Sequence, residues 1–310
     1  MKQVTLPQAL NNTESRATVH VRAVTAKLLN LLQLTKPEIM LLVVLTGMAA
    51  LVLEGNSWQH PLRFVLVLLG LELAGGSANA LNQYLERNID ARMSRTRRKR
   101  PLPLGKVTPA EALTFSVSIG AASVILFAVF FNWLSAALAA GTILFYGFFY
   151  TLILKPRTHL NIVIGGAAGA MAPVIAWAAV TGTLGWTPWI LFAIIFFWTP
   201  PHFWSLALCL KRDYETVNMP MLPVIKGDRE TRRQIFVYTL WLLAVSLTLL
   251  LVRAGLFYLV FALGLGGYFA WKAYRIWRRD ESAPAWGLFK FSIIYLMTLF
   301  VAMMIDKTLS

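Results

Sequence analysis

Cysteine and charged residues are both scarce in this 310-residue sequence. Cys209 is the single cysteine, and charged residues make up only 14% of the chain. One cysteine excludes a disulfide framework, a CxxC zinc or redox site, and covalent heme attachment through a CxxCH motif. Low-complexity tracts and separate soluble domains are absent as well. The chemistry of this chain must therefore come from other residues.

Long apolar runs dominate what is present, since 57% of the residues are hydrophobic. Repeated stretches exceed the ~18 apolar residues that indicate a membrane span. Nine candidate spans result: 38–54, 64–86, 111–131, 133–151, 160–181, 187–208, 234–252, 255–277 and 286–306. The sequence predicts an all-α polytopic bundle of about nine spans, with one transmembrane domain over residues 38–306.

The net charge of +15 is concentrated in short loops between the spans, so it does not indicate a nucleic-acid partner. Lysine and arginine gather in the N-terminal tail and in the loops on the same side of the bundle. The opposite side carries only Arg63, Arg253 and Lys307. This asymmetry predicts a cytosolic N-terminus and an external C-terminus. Residues 1–37 are expected to form a cytosolic tail and a surface helix, with a mitochondrial transit peptide as the alternative.

Asn82, Glu86 and Asp90 stand four residues apart where the second span ends in the basic loop 92–100. At ~100° per residue, this spacing places three oxygen-bearing side chains on one helical stripe. Mg²⁺ prefers oxygen ligands and often shares them with phosphate, and arginine suits phosphate capture. The alternative is a helix that simply leaves the bilayer beside charges that stop translocation.

A second long loop, 209–233, follows the sixth span and echoes the first loop, 87–110. Each loop begins with acidic residues, adds basic ones, passes through prolines and reaches a Lys/Gly pair. Lys211, Arg212 and Asp213 lie at the start of the second loop, followed by Glu215. The echo favours two weakly repeated halves with a shared site for a cation and diphosphate, although two proline-rich loops can also be alike by chance.

His202 is an ionisable residue within an otherwise apolar span, and such residues are candidates for function. Trp198, Phe203 and Trp204 flank it. Histidine is a common heme ligand and flat aromatic side chains suit a porphyrin. Aromatic residues also collect at membrane interfaces in general, which is the structural alternative.

Four blocks of the chain, in this order, resemble the UbiA-type intramembrane prenyltransferases. They are Asn82–Pro101, Asn161–Ala170, the Trp-Thr-Pro-Pro-His-Phe-Trp block Trp198–Trp204, and Asp213-Tyr214 with Pro220–Pro223. The Asn-x-x-x-Glu-x-x-x-Asp pattern specifies the superfamily. The Thr-Pro-Pro-His-Phe-Trp block is similar to that of the heme-farnesylating branch, the protoheme IX farnesyltransferases or heme O synthases.

The resemblance implies a bundle with a central cavity open to lipid, and a farnesyl group transferred from farnesyl diphosphate to the 2-vinyl group of heme b, with addition of water. It implies Mg²⁺ as cofactor, a bacterial inner-membrane location and a site facing the cytosol. By matching position, the catalytic and metal residues are Asn82, Glu86, Asp90 and Asp213. The expected diphosphate partners are Arg95, Arg100, Lys211 and Arg212. The expected heme contacts are Trp198, His202, Phe203 and Trp204.

One departure from the family pattern concerns the second acidic motif, where Val217 stands in place of a second aspartate. A second metal site built wholly from carboxylates is therefore in doubt, although Glu215 is a substitute. Two other functions stay open: prenyl transfer to an aromatic acid or quinone precursor, and heme handling without catalysis. Heme-copper oxidase assembly and heme A synthase are the protein partners that the heme-farnesylating branch suggests.

Overall fold

Nine long apolar helices form the bundle in the part of the chain that the structure, a computed structural model, describes: residues 16–252, 254–279 and 284–309. We call them spans one to nine. They are Pro37–Glu54, Pro61–Leu85, Pro109–Phe130, Trp133–Arg157, Asn161–Thr181, Trp186–Cys209, Gly227–Leu251, Leu256–Arg279 and Ala285–Leu309. Within these ranges the prediction of an all-α, nine-span membrane protein is confirmed. A further helix, Arg16–Leu34, precedes span one, whereas the expected tail falls on residues 1–15, outside the described residues.

Two spans extend six or more residues past one of their predicted ends. Span seven begins at Gly227 instead of residue 234, and span four continues beyond residue 151 to Arg157. The added residues are partly charged, and charged side chains reach water at the membrane edge while their backbone stays helical. Hydropathy therefore locates the crossing of the bilayer and not the end of the helix.

Spans two, five and six lie at the centre of the bundle. In their most apolar 18-residue stretches, 56%, 72% and 61% of the residues are buried, whereas the corresponding share is 22–28% in spans three, four, seven and eight. Spans two and six carry the motifs singled out in the sequence. The candidate chemistry therefore starts from the interior of the bundle.

Small and hydroxylated residues hold span two close to span three. Ser77 Oγ donates to the carbonyl of Ser116 at 2.8 Å, and Ser123 Oγ donates to the carbonyl of Gly70 at 2.7 Å. A Cβ atom at Gly70 would lie 2.6 Å from the ring of Phe127. Small residues allow this close approach, and hydroxyl groups bridge helices within a membrane. The middle of span two is thereby held against span three.

Span four changes its winding over Phe145–Leu154, which is π-helical. Here the backbone N–H of Lys155 bonds to the carbonyl of Tyr150, five residues earlier, and Thr151 Oγ1 donates to the carbonyl of Tyr146. Tyr150 packs on Gly165 of span five, where an added Cβ would collide with the ring. Long π-helical segments are rare and often occur at functional sites. The last residues of this segment lie beside the end of span two, where Asn82 Nδ2 donates to Thr151 Oγ1 at 3.1 Å.

Candidate active site

The predicted oxygen stripe forms one buried row at the end of span two. Asn82 occupies its last turn, and helical backbone bonds of 2.9 Å continue from Glu86 N to Asn82 O and from Asp90 N to Glu86 O. The three residues are only 2%, 4% and 2% exposed. Their oxygens therefore share one buried strip that bulk water barely reaches.

Cationic side chains neutralise this stripe. Lys155 Nζ lies 2.5 Å from Glu86 Oε1, while Arg100 pairs with Asp90 and lies 3.9 Å from Glu86 Oε2. Burying a carboxylate without a partner is costly, so these ion pairs are what allow the carboxylates to stay inside. Arg100 was expected to bind diphosphate, and the structure places it within reach of the site while it holds Asp90.

Lys36 is a third cation at the stripe. Its backbone has a positive φ of 57°, immediately before Pro37, and its Nζ lies 3.2 Å from Asn79 Oδ1 and 3.4 Å from Asn82 Oδ1. Burial, together with the charges of Arg100 and Lys155, lowers the pKa of Lys36 to about 7. A non-glycine residue in this left-handed region is uncommon.

Neither Lys36 nor Lys155 was singled out as a site residue in the sequence. Lys36 reads there as the start of a span, and Lys155 as one of two basic residues in a short loop. The signal that both share is a basic residue at the edge of an apolar run on the same side as the acidic motif. That signal is common to many loops and does not by itself select these two.

The two carboxylates differ in their electrostatics. Burial raises the pKa of Asp90 above its usual value, although Arg100 opposes the shift. Burial also acts to raise the pKa of Glu86, but Lys155, Arg100 and Lys36 outweigh it and the net shift is downward. Glu86 is thus the more firmly ionised carboxylate, and an added cation would favour ionisation of Asp90 as well.

Asp213 ties the second loop to the first. Its Oδ1 accepts from Ser94 Oγ at 2.6 Å and its Oδ2 accepts from the backbone N–H of Arg95 at 3.2 Å. Within the described ranges, no three His, Cys, Asp or Glu side chains cluster as a metal site would require. The role of Asp213 as a fourth ligand beside the stripe therefore stays a prediction.

The remaining predicted diphosphate residues differ in their contacts. Lys211 Nζ pairs with Asp228 Oδ1 at 2.9 Å, and Arg212 is exposed. The Nε atom of Arg95 is buried and bonds to no described residue, so its N–H is an unused hydrogen-bond donor in a buried position. All three residues line an open cleft of about 650 Å³ between Ser94-Arg95 and Leu208–Asp213. The cleft brings together the two loops that the sequence pairs.

His202 belongs to a second cluster, between spans six and nine. It is only 8% exposed, and its ring stacks on Trp198 (centroids 4.3 Å apart) and on Phe289 (4.6 Å apart). Its Nδ1 lies 2.7 Å from Ser292 Oγ, and Trp198 Nε1 donates to the Ser292 carbonyl at 2.7 Å. Spans six and nine are thus clamped around the imidazole.

The other predicted aromatic contacts point in different directions. Phe203 meets His202 edge-on at 5.0 Å and is 37% exposed. Trp204 is 2% exposed and packs edge-on against Tyr238 of span seven, and its Nε1 bonds to no described residue. Trp198 and His202 share one face of the helix, four residues apart, while Trp204 belongs to the packing between spans six and seven.

Known proteins resemble this chain both in sequence and in fold. A sequence model described as the UbiA prenyltransferase family matches residues 42–299. A protoheme IX farnesyltransferase of Gloeobacter violaceus is 48% identical over 295 residues, covering 94% of this chain and 96% of the relative. One of Synechocystis sp. is 49% identical over 282 residues, covering 89% and 88%.

Solved structures with the same fold are more distant in sequence. A digeranylgeranylglyceryl phosphate synthase aligns with a TM-score of 0.76 at 19% identity, covering 92% of this chain and 99% of the other. A UbiA homolog from Archaeoglobus fulgidus bound to GPP and Mg²⁺ aligns with a TM-score of 0.64 at 16% identity, covering 88% and 99%. At this level of identity the likeness establishes the fold.

Proposed function

Because this chain belongs to the UbiA prenyltransferase family, we propose that it transfers a farnesyl group from farnesyl diphosphate to the 2-vinyl group of heme b, with addition of water, to give heme O. The observation that carries the transferase chemistry is the buried stripe, where three basic side chains face two carboxylates. The near-half identity to protoheme IX farnesyltransferases over almost the full chain supports the choice of heme as acceptor.

Asn82, Glu86 and Asp90 would hold Mg²⁺, with Asp213 supplied from the second loop. An amide oxygen and carboxylates on a buried strip fit the oxygen donors that this cation prefers. When bound, the ion neutralises charge that develops on the departing diphosphate. We place Arg95 and Arg100 with Lys36 and Lys155 around the diphosphate, because Arg100, Lys36 and Lys155 contact the stripe and Arg95 neighbours Asp213. Lys211 and Arg212 extend this charge toward the open cleft.

Departure of the diphosphate leaves an allylic farnesyl cation, which the electron pair of the vinyl group attacks to form the new C–C bond. Water then adds to the resulting cation and loses a proton. Tyr146 and Tyr150 stack 5.0 Å apart beside the stripe, and the Tyr150 ring already has Lys155 Nζ 5.9 Å from its centroid. Electron-rich ring faces stabilise a cation.

The proposal predicts farnesylated heme as the product of the isolated protein. Purified protein in lipid, given Mg²⁺, farnesyl diphosphate and heme b, should yield a hydroxyethylfarnesyl heme by mass analysis. Omission of farnesyl diphosphate or addition of a chelator should prevent it. Heme recovered unmodified from correctly folded protein would contradict the proposal. Prenylated quinone precursors in the same assay would then favour the quinone alternative.

We also propose that the end of the bundle that carries the stripe and both long loops faces the cytosol of a bacterial inner membrane. Cys209 offers a direct test, since it is the single cysteine and is exposed at the end of span six. A membrane-impermeant maleimide should label it in inside-out vesicles and not in right-side-out vesicles. In a Cys209→Ser background, Thr308→Cys at the end of span nine should show the opposite pattern. Reversed labelling of the pair would overturn the orientation.

A further inference from the structure

The imidazole of His202 has one unengaged edge. Both faces are covered, by Trp198 at an interplanar angle of 19° and by Phe289 at 28°. Nδ1 is engaged by Ser292 Oγ. A flat ligand therefore has no free face of this ring to stack on. What His202 offers is the edge that carries Nε2.

The hydroxyl of Ser292 decides which nitrogen carries the hydrogen. Ser292 Oγ lies 2.6 Å from the carbonyl oxygen of Phe289, which only accepts, and 2.7 Å from His202 Nδ1. One hydroxyl hydrogen cannot serve both partners. If it is donated to the Phe289 carbonyl, as is usual for serine in a helix, Nδ1 must donate its own hydrogen to Oγ and both bonds form. The opposite arrangement leaves two oxygen acceptors 2.6 Å apart without a hydrogen between them.

A neutral imidazole with its hydrogen on Nδ1 has a bare lone pair on Nε2. Within the described ranges His202 forms no ion pair, and a buried charge without a partner is costly, which favours the neutral ring. Trp198 reinforces the arrangement, because its indole N–H holds the backbone of the same serine. The two span-six residues thus dock on one residue of span nine.

We infer that Ser292 is a positioning residue that fixes His202 in the Nδ1–H tautomer and presents Nε2 end-on as a ligand for the iron of heme b. The inference rests on the proposed function, which supplies heme as the acceptor. It selects iron over a heme propionate, since a nitrogen without hydrogen cannot donate to a carboxylate. A second-sphere hydrogen bond of this kind orients the ring and strengthens a metal-ligating histidine.

The tautomer can be measured without heme. The chain has four histidines, so ¹⁵N-histidine spectra are simple, and the difference spectrum with His202→Gln assigns the signal. We expect a protonated Nδ1 and a bare Nε2 in the native protein. Ser292→Ala should mix the tautomers, and Ser292→Thr should restore the native pattern. A native signal with protonated Nε2, or a Ser292→Ala spectrum equal to the native one, would overturn the inference.

Heme titration tests the ligand itself, with metal-free protoporphyrin IX as the comparison. His202→Ala should remove the iron–imidazole band from the resonance Raman spectrum of the ferrous complex. Its affinity for heme b should fall about 10-fold or more, while its affinity for protoporphyrin IX stays the same. Ser292→Ala should retain the band at a shifted frequency, and its affinity for heme b should fall about 10-fold. Iron ligation is contradicted if the band persists in His202→Ala, or if this variant loses affinity equally for heme b and for protoporphyrin IX.

Ser246→Ala is the matched control, because Ser246 is also fully buried and also contacts span nine, through the Tyr295 hydroxyl at 3.1 Å. It should change neither the histidine signal nor the Raman band. Failure of the inference is separable from failure of the proposed function. Native protein that farnesylates heme without an iron–imidazole band refutes the inference alone. Native protein that neither binds nor farnesylates heme refutes both.

Discussion

Replacing Asp90 by asparagine should lower the rate of farnesyl transfer by about 10³-fold. Asp90 is 2% exposed and pairs with Arg100, so the substitution removes a charge at the centre of the stripe while it preserves shape. The metal would lose a carboxylate ligand, and Arg100 would lose the partner that orients it. The rate of product formation under saturating farnesyl diphosphate and heme b is the measurement.

Heme binding should be unaffected in Asp90→Asn, because His202 belongs to the separate cluster between spans six and nine. A matched control is Glu230→Gln, the same carboxylate-to-amide change near the start of span seven, where Glu230 bonds to Arg233 and Gln234. The control should keep native turnover. Near-native turnover in Asp90→Asn, or an equal loss of heme affinity, would show that the stripe does not carry the transfer step.

Replacing Lys155 by methionine should reduce both stability and catalysis. Its ammonium group lies 2.5 Å from Glu86, whose side chain is 5% exposed. Removing one partner of a buried ion pair costs about 3–5 kcal/mol, and the smaller value is expected because Arg100 still faces Glu86. Transfer should fall about 10²-fold, since a cation facing the diphosphate is lost. Unfolding in a denaturing-detergent titration and steady-state rates measure the two effects.

The double variant Lys155→Met with Glu86→Gln separates these effects. Removing both charges abolishes the unpaired carboxylate, so most of the lost stability should return, while activity should stay low or fall further. Lys226→Met, at an exposed lysine just before span seven, controls for loss of a positive charge and should resemble the native protein. Recovery of activity in the double variant would mean that Lys155 serves only to balance Glu86.

The parts of the fold and site that sequence reveals are those set by local periodicity. The nine spans follow from apolar length, and Asn82, Glu86 and Asp90 lie on one strip because four-residue spacing is a property of any helix. Lys36 was missed because its contact with Asn79 and Asn82 depends on two features that the local pattern does not show. One is the left-handed backbone at residue 36, and the other is the packing of the preceding helix against span two. Gln83 Nε2, which donates to the Leu34 carbonyl at 2.9 Å, holds that helix against span two.

The loops illustrate the same limit. Composition paired the two long loops, and Asp213 does contact the first loop through Ser94 and Arg95. Composition could not show that Lys211 engages Asp228, seventeen residues later, because such a choice depends on the path of the loop between them. Likewise the sequence marks His202 as unusual, but its partner Ser292 stands ninety residues away in an otherwise ordinary apolar helix.

The wide winding of span four makes chain length itself a determinant of the site. In an ordinary α-helix, Tyr150 and Lys155 would be separated by roughly 140° around the axis, whereas the five-residue backbone bond between them brings them toward one side. Deleting one residue between Tyr150 and Lys155 would leave them four apart, roughly 40° around a regular α-helix, so the two side chains share one side only when winding and residue count match. A pairwise alignment would score such a deletion as one minor gap while every functional side chain remained in place. Conservation of spacing in this segment therefore carries information that percentage identity does not.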